Sequence, residues 1–205
     1  GGLYSSTATI SVLARKSRKA SEQEATDYVA AMLLAISMMF LRFMILILIF
    51  SREIFLSIYP YLLTMAVVAA IVAWFIHSRQ KRSNDQPVEE EEDDSSNPLE
   101  FKVALIFAVL FVIFTFLTHY TLVYAGTGGL NLLSFVSGFS DITPFILNLL
   151  QNTGSVAALI ITACSMQAII SNIMVNMFYA LFFAGKGSKL RPWILGGFGV
   201  VIACN

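Results

Sequence analysis

The sequence predicts an all-α integral membrane protein: a polytopic helical bundle in an inverted-topology repeat of three plus three spans, the first span missing, with broken or re-entrant segments. Three observations lead there. Of 205 residues, 57% are hydrophobic and only 13% charged, whereas soluble domains carry roughly 25% charged residues. The charges are clustered, which leaves long stretches with almost none and a mean hydropathy of +0.75. Two short polar strings also recur at corresponding places in front of long apolar segments.

A helix rises about 1.5 Å per residue, so crossing roughly 30 Å of hydrocarbon takes about 20 apolar residues. Thr26–Phe50, Ile54–His77, Phe101–Ala125 and Ser155–Phe183 meet that length. Pro192–Asn205 falls short and would span only if the chain continued. None alternates with period two, which argues against a barrel. Backbone exposed to lipid must bond to itself, so the segments are helices. The start at Gly1 without methionine and the stop at Asn205 inside an apolar run lead us to expect that both ends are cuts in a longer protein.

Basic residues cluster in Arg15–Lys19, in His77–Arg82 and between Lys186 and Arg191, whereas the stretch from Gly126 to Ser155 has no Lys or Arg. Placing all three basic loops in the cytoplasm requires the segment between Gly126 and Gly154 to enter and leave on one side, as a re-entrant hairpin. The run Glu89–Asp94, among Pro87, Ser95, Ser96, Asn97 and Pro98, reads as a solvated linker. It divides the chain into a first repeat half (1–77), a linker (78–100) and a second half (101–205). Thirteen basic and thirteen acidic residues cancel, so net charge names no nucleic-acid partner. Cys164 and Cys204, both in apolar runs, read as small buried hydrophobes.

The strings Gly2–Leu13 and Gly138–Leu149 match at Gly2/Gly138, Thr7/Thr143, Ile10/Ile146 and Leu13/Leu149. Each precedes a long apolar helix, a short loop and a helix with proline near its start (Pro60, Pro192). With small gaps, Ser37 falls on Ser171 and Arg42 on Asn176. Three spans separate the strings, an odd number, so the copies face opposite sides. Many secondary transporters are built this way, with sites on interrupted helices.

Candidate chemistry gathers at the breaks. Gly138 and Pro144 interrupt the second string, and Ser140, Asp141 and Thr143 supply oxygens there, for an ion or for capping the helix that follows. Ser5, Ser6, Thr7 and Thr9 offer hydroxyls in the first string, for coordination or for close helix packing. Arg42, well inside its span, must face the protein interior with a partner, and Asp141 is the candidate. Asn172 and Asn176 share one helix face, extended by Gln167 and Ser171. His77 and His119 read as interfacial, the Tyr and Trp residues as aromatic belts, and Met32, Met38, Met39 and Met44 as packing.

The strings GGLYSSTATISVLARKSR, NPLEFKVALIFA (Asn97–Ala108) and SGFSDITPFILNLLQ resemble, over essentially the whole chain, the integral-membrane domain of unknown function found C-terminal to MgtC/SapB-type domains in bacteria. The resemblance implies a multi-pass protein of the bacterial inner membrane whose MgtC-like part is absent. That family usually has a second acidic residue where this chain has Thr143, and often a lysine where it has Asn176.

The residues therefore point to a transporter or channel-like module for an ion or small solute. Its site lies around Ser5, Ser6, Thr7, Ser140, Asp141 and Thr143, with Arg42, Asn172 and Asn176 nearby. Asp141 binds a cation or proton in one version, and Arg42 receives an anion in the other. The rival is a non-transporting scaffold or regulatory subunit, recognisable as a solid bundle with a buried Arg42–Asp141 pair. An enzyme is disfavoured: aspartyl proteolysis needs two carboxylates at depth, and no Ser–His or metal-ligand spacing appears. No cofactor is expected and the metal question stays open. The expected partners are the lipid bilayer, the transported ion or solute and, as an option, a second copy in a homodimer.

Overall fold

The computed structural model describes residues 6–18, 22–78, 98–152, 156–184 and 190–203. Among them every regular element is helical: α1 (Ser6–Ser17), α2 (Glu22–Phe50), α3 (Arg52–Ser78), α4 (Pro98–Ser137), α5 (Ile142–Gln151), α6 (Ala158–Ala184) and α7 (Arg191–Ala203). Four stretches are long and apolar enough to cross a bilayer: Ala25–Phe50, Arg52–Ser78, Ala108–Ser137 and Ala158–Ala184. The chain is thus a membrane helical bundle. The acidic run of the linker, Ser5 and most of the basic Lys186–Arg191 loop lie outside the described residues.

α2 and α3 form an antiparallel pair about Ser51. The Ser51 hydroxyl accepts from the Ile54 N–H at 3.4 Å and caps the start of α3. Midway, the Ser37 hydroxyl donates to the Ala66 carbonyl at 2.9 Å, and at the far end Asp27 meets His77 at 2.9 Å. Contacts that fall on one helix as they rise on the other fix the direction. α3 buries Ile54, Ile58, Leu62, Met65, Ala69, Ala73 and Ile76, one stripe at helical spacing. Its opposite side exposes Leu63, Val67, Ile71 and Trp74, an apolar surface suited to lipid. Pro60 lies inside α3.

The third predicted span ends as expected at Ala125: α4 is two helices that meet at Gly126, and the second runs on to Ser137. The physical reason lies in two glycines. Gly126 adopts φ 58°, ψ −147°, a conformation open in practice only to glycine, so the chain is redirected there rather than ended. A Cβ on Gly126 would meet nothing within 4 Å, so the requirement is conformational. At Gly129 it is steric: a Cβ would crowd Ala125 and come within 2.7 Å of Thr121 Cγ2. At Gly129 the chain therefore passes close against the helix it leaves.

That second part of α4 is about 16 Å long and α5 about 15 Å, so neither can cross a bilayer alone. Between them the chain turns at Gly138–Asp141. α5 buries eight of its ten residues, as an interior helix does, and its Phe145 packs against Phe114 of α4.

α6 is the hub of the bundle. It packs against α1, α3, α4, α5 and α7. Contacts also cross between the two parts of the chain: α1 packs on α6 and α5 on α2, while α3 packs on α6 and α7 on α2. Gly197 of α7 lies so close to α2 that a Cβ there would sit 2.8 Å from Leu33 Cδ1. α1 presents Ser6, Ile10, Ala14 and Ser17 inward, and the small side chains of Ser6, Ala14 and Ser17 let helices approach closely.

Candidate functional site

The turn at Gly138–Asp141 is held by α6. Gly138 is buried against it, where a Cβ would strike Ser171 and come within 2.8 Å of the Asn172 backbone nitrogen. A helix break frees backbone carbonyls, and away from water each needs a donor. Asn172 supplies it, donating from Nδ2 to the Gly138 carbonyl at 3.1 Å and to the Ser140 carbonyl at 3.5 Å. The Ser171 hydroxyl donates to the Phe135 carbonyl at 2.7 Å. Asn176 stands behind, its Nδ2 on Asn172 Oδ1 at 3.1 Å, which fixes the Asn172 amide with its donor toward the turn.

Asp141 is the N-cap of α5, in extended backbone, and its Oδ1 accepts from the Thr143 N–H at 2.9 Å. Pro144 follows without an N–H to be satisfied. Arg42 arrives from α2: its Nη2 donates to the Thr143 hydroxyl oxygen at 2.7 Å, and its guanidinium lies 5.2 Å from the Phe43 ring centroid. Arg42 lies about 12 Å along the helix from Phe50. Asp141 is within coulombic reach of it. The expected pair is thus joined through Thr143, because the Asp141 carboxylate turns back to cap its own helix and places the Thr143 hydroxyl in Arg42's path.

These groups surround a cavity of ≈ 480 Å³, within the usual range for small-molecule sites. α1 contributes Ser6, Thr7 and Ser11, α2 contributes Met39, Arg42 and Phe43, the turn contributes Gly138 to Ile142, and α6 contributes Asn172, Val175, Tyr179 and Phe183. Residues from both polar strings therefore face one space. Of the sequence-predicted site residues, Ser6, Thr7, Arg42, Ser140, Asp141 and Asn172 line it. Thr143 lies just behind the wall, bonded to Arg42 and Asp141. Asn176 is fully buried behind Asn172 and does not reach the cavity.

Ser11, Met39, Phe43, Tyr179 and Phe183 were not anticipated. For α6 a signal was present, since Asn172, Val175, Tyr179 and Phe183 repeat at helical spacing along one face. The Ser6 hydroxyl meets Met39 Sδ at 3.3 Å and the Ser11 hydroxyl bonds back to the Thr7 carbonyl at 2.8 Å. At the far end of that face Arg15 of α1 stacks over the Phe183 ring, 4.5 Å from its centroid. Among the described residues no group of three or more His, Cys, Asp or Glu could hold a metal.

Residues 1–184 match the family described as a domain of unknown function, DUF4010. The chain belongs to the DUF4010 family. A relative from Aquifex aeolicus (strain VF5), described as an uncharacterized protein, is 26% identical over 192 residues, 93% of this DUF4010 chain and 82% of the relative. No solved structure matches.

Proposed function

We propose that this DUF4010 protein is a membrane transporter or channel-like module that moves an ion or small solute through the cavity between its two polar strings. The observation that carries the reading is the Arg42–Thr143–Asp141 chain at that cavity's wall. It places two charged groups from distant parts of the sequence beside one cavity, Arg42 half-buried and Asp141 exposed. An arginine inside a span costs about 2.5–3.5 kcal/mol on insertion scales, and a transport site gives that cost a function.

In this reading α1–α3 and α5–α7 are inverted copies. The crosswise packing, α1 on α6 with α5 on α2 and α3 on α6 with α7 on α2, is what a pseudo-two-fold axis produces. The short segments either side of Gly138–Asp141 form a re-entrant hairpin, and the basic loops and acidic linker are cytoplasmic in a bacterial inner membrane. A non-transporting scaffold would be a solid bundle, and the cavity argues against it.

Proteoliposomes test the proposal. Flux of alkali cations, halides and small organic solutes is measured for the wild type, Asp141→Asn and Arg42→Gln. Solute-selective flux that both substitutions abolish, in protein that still folds, supports it. Flux equal to protein-free liposomes, or unchanged in both variants, sinks it.

A further inference from the structure

We propose that the surface where the end of α1 meets the end of α6 holds an anionic phospholipid. Its headgroup phosphate lies on the basic side chains of α1 and its acyl chain along exposed rings of α6. Neither part involves Arg42 or depends on transport through the cavity.

Several helix ends gather at one level of the bundle. Arg15 of α1 lies over the Phe183 ring, 4.5 Å from its centroid, and Phe183 is one residue from the end of α6. Asp27, near the start of α2, meets His77, near the end of α3, at 2.9 Å. α2 begins five residues after α1 ends, and α7 opens at Arg191, seven residues after Ala184. Three of the candidate spans, in α2, α3 and α6, begin or end at this level, so it lies at a membrane surface.

The charge there is mainly positive. Residues 15–24 carry four basic groups and two acidic ones, and residues 186–191 carry three basic groups and no acidic one. Asp27 is engaged by His77. Arg15, Lys16, Arg18 and Arg191 are all exposed. Basic clusters beside membrane spans attract anionic lipid.

A helix dipole also favours cations in the last turn, so charge by itself names no ligand. The rings beneath Arg15 add the second half of one. Phe182 meets Phe183 edge-on at 5.4 Å and stacks with Phe178 at 6.2 Å. Phe178 and Phe182 are 62% and 67% exposed, and Met174 is exposed one turn further on. Residues four apart share a helix face, so the three form an apolar stripe. It runs about 12 Å along the outside of α6, starting beside Arg15. Stacking occupies the face of the Arg15 guanidinium and leaves its N–H edge for a phosphate. Cations at the head of an apolar stripe match a phospholipid in both its parts. A free phosphate would use only the first.

Competition between lipids tests the assignment. The full chain, purified in mild detergent, is offered equal amounts of phosphatidylglycerol and phosphatidylcholine with the same acyl chains, and retained lipid is measured by native mass spectrometry. Each basic group near an anionic lipid contributes about fivefold, so we expect phosphatidylglycerol to be favoured by about tenfold or more. Arg15→Gln, Lys16→Gln and Arg18→Gln together should bring the ratio close to one. Arg15→Lys with Arg18→Lys, which keeps the charges, should preserve it. So should Arg52→Gln, which removes an exposed cation at the opposite end of α3. Phe178→Ala with Phe182→Ala should lower retention of both lipids severalfold. Equal retention by the wild type overturns the site, as does a preference that survives the triple substitution or that Arg52→Gln also removes. Retention unchanged by the phenylalanine pair overturns the seat on α6. Displacement of the lipid by glycerol phosphate overturns the lipid as occupant and gives the basic groups to a soluble anion.

Discussion

Arg42 on α2 and Asn176 on α6 align in the proposed repeat, yet they act in opposite directions. Arg42 reaches out of its helix to the Thr143 hydroxyl of α5 and lines the cavity. Asn176 stays within its own helix, bonded to Asn172, and is fully buried. One position therefore supplies charge to the cavity, and the other supplies rigidity to the turn at Gly138. The polar strings differ in the same sense. The second is built on backbone geometry, with a packed glycine, an N-cap and carbonyls held by Asn172. The first is built on hydroxyls along α1. In the proposed repeat, then, aligned positions carry different chemistry: the string with the better-braced break leaves the cation to α2.

The largest way to break this comparison is at Gly138. Gly138→Val places its side chain into Ser171 and the Asn172 backbone, and neither a helix backbone nor a buried serine can yield. We expect destabilisation at the upper end of the roughly 1–3 kcal/mol typical of overpacking, read as loss of monodisperse protein and a lower melting temperature. At Gly126 a Cβ meets nothing but the positive φ disfavours any L side chain. Gly126→Ala should cost about 1 kcal/mol or somewhat more, measured the same way.

Asp141 separates two roles in a single position. Asparagine caps helices about as well as aspartate, whereas alanine costs about 1 kcal/mol. Asp141→Asn should therefore melt close to wild type and lose flux, while Asp141→Ala should lose both. Equal flux in wild type and Asp141→Asn would reduce the residue to its cap. Asn176→Ala gives a smaller effect. Without its bond to Asn172 Oδ1 the turn carbonyls lose part of their support, at a cost of about 1 kcal/mol, with flux reduced rather than abolished. The smallest effect is expected at Ser6, whose hydroxyl meets only the weak acceptor Met39 Sδ. Ser6→Ala should shift stability by less than about 0.5 kcal/mol.

Much of the fold was legible because apolar length is a direct signal. The four predicted spans correspond to α2, α3, the part of α4 before Gly126, and α6, with ends moved by a few residues. The absence of Lys and Arg between Gly126 and Ser155 singled out the segment that holds the two short helices. The site was legible where a residue contradicted its surroundings, as Arg42, Asp141 and Gly138 do. What escaped were relations between helices. Thr143 as the link between Arg42 and Asp141 depends on how α5 meets α2, and Tyr179 and Phe183 line the cavity because α1 lies across α6. Ordinary apolar residues in a hydrophobic helix give no sign of which of them face an interior space.

If the space between the two strings is the pathway, closing it stops uptake. Thr7 and Ser140 line it from opposite strings. The most direct measurement places cysteines at both, Thr7→Cys with Ser140→Cys, in protein with Cys164 and Cys204 replaced by alanine. The pair is then joined with a short cleavable bifunctional reagent in proteoliposomes while uptake is followed. We expect that the cross-link forms, that uptake stops, and that a reductant restores it. Uptake that continues through cross-linked protein would contradict it.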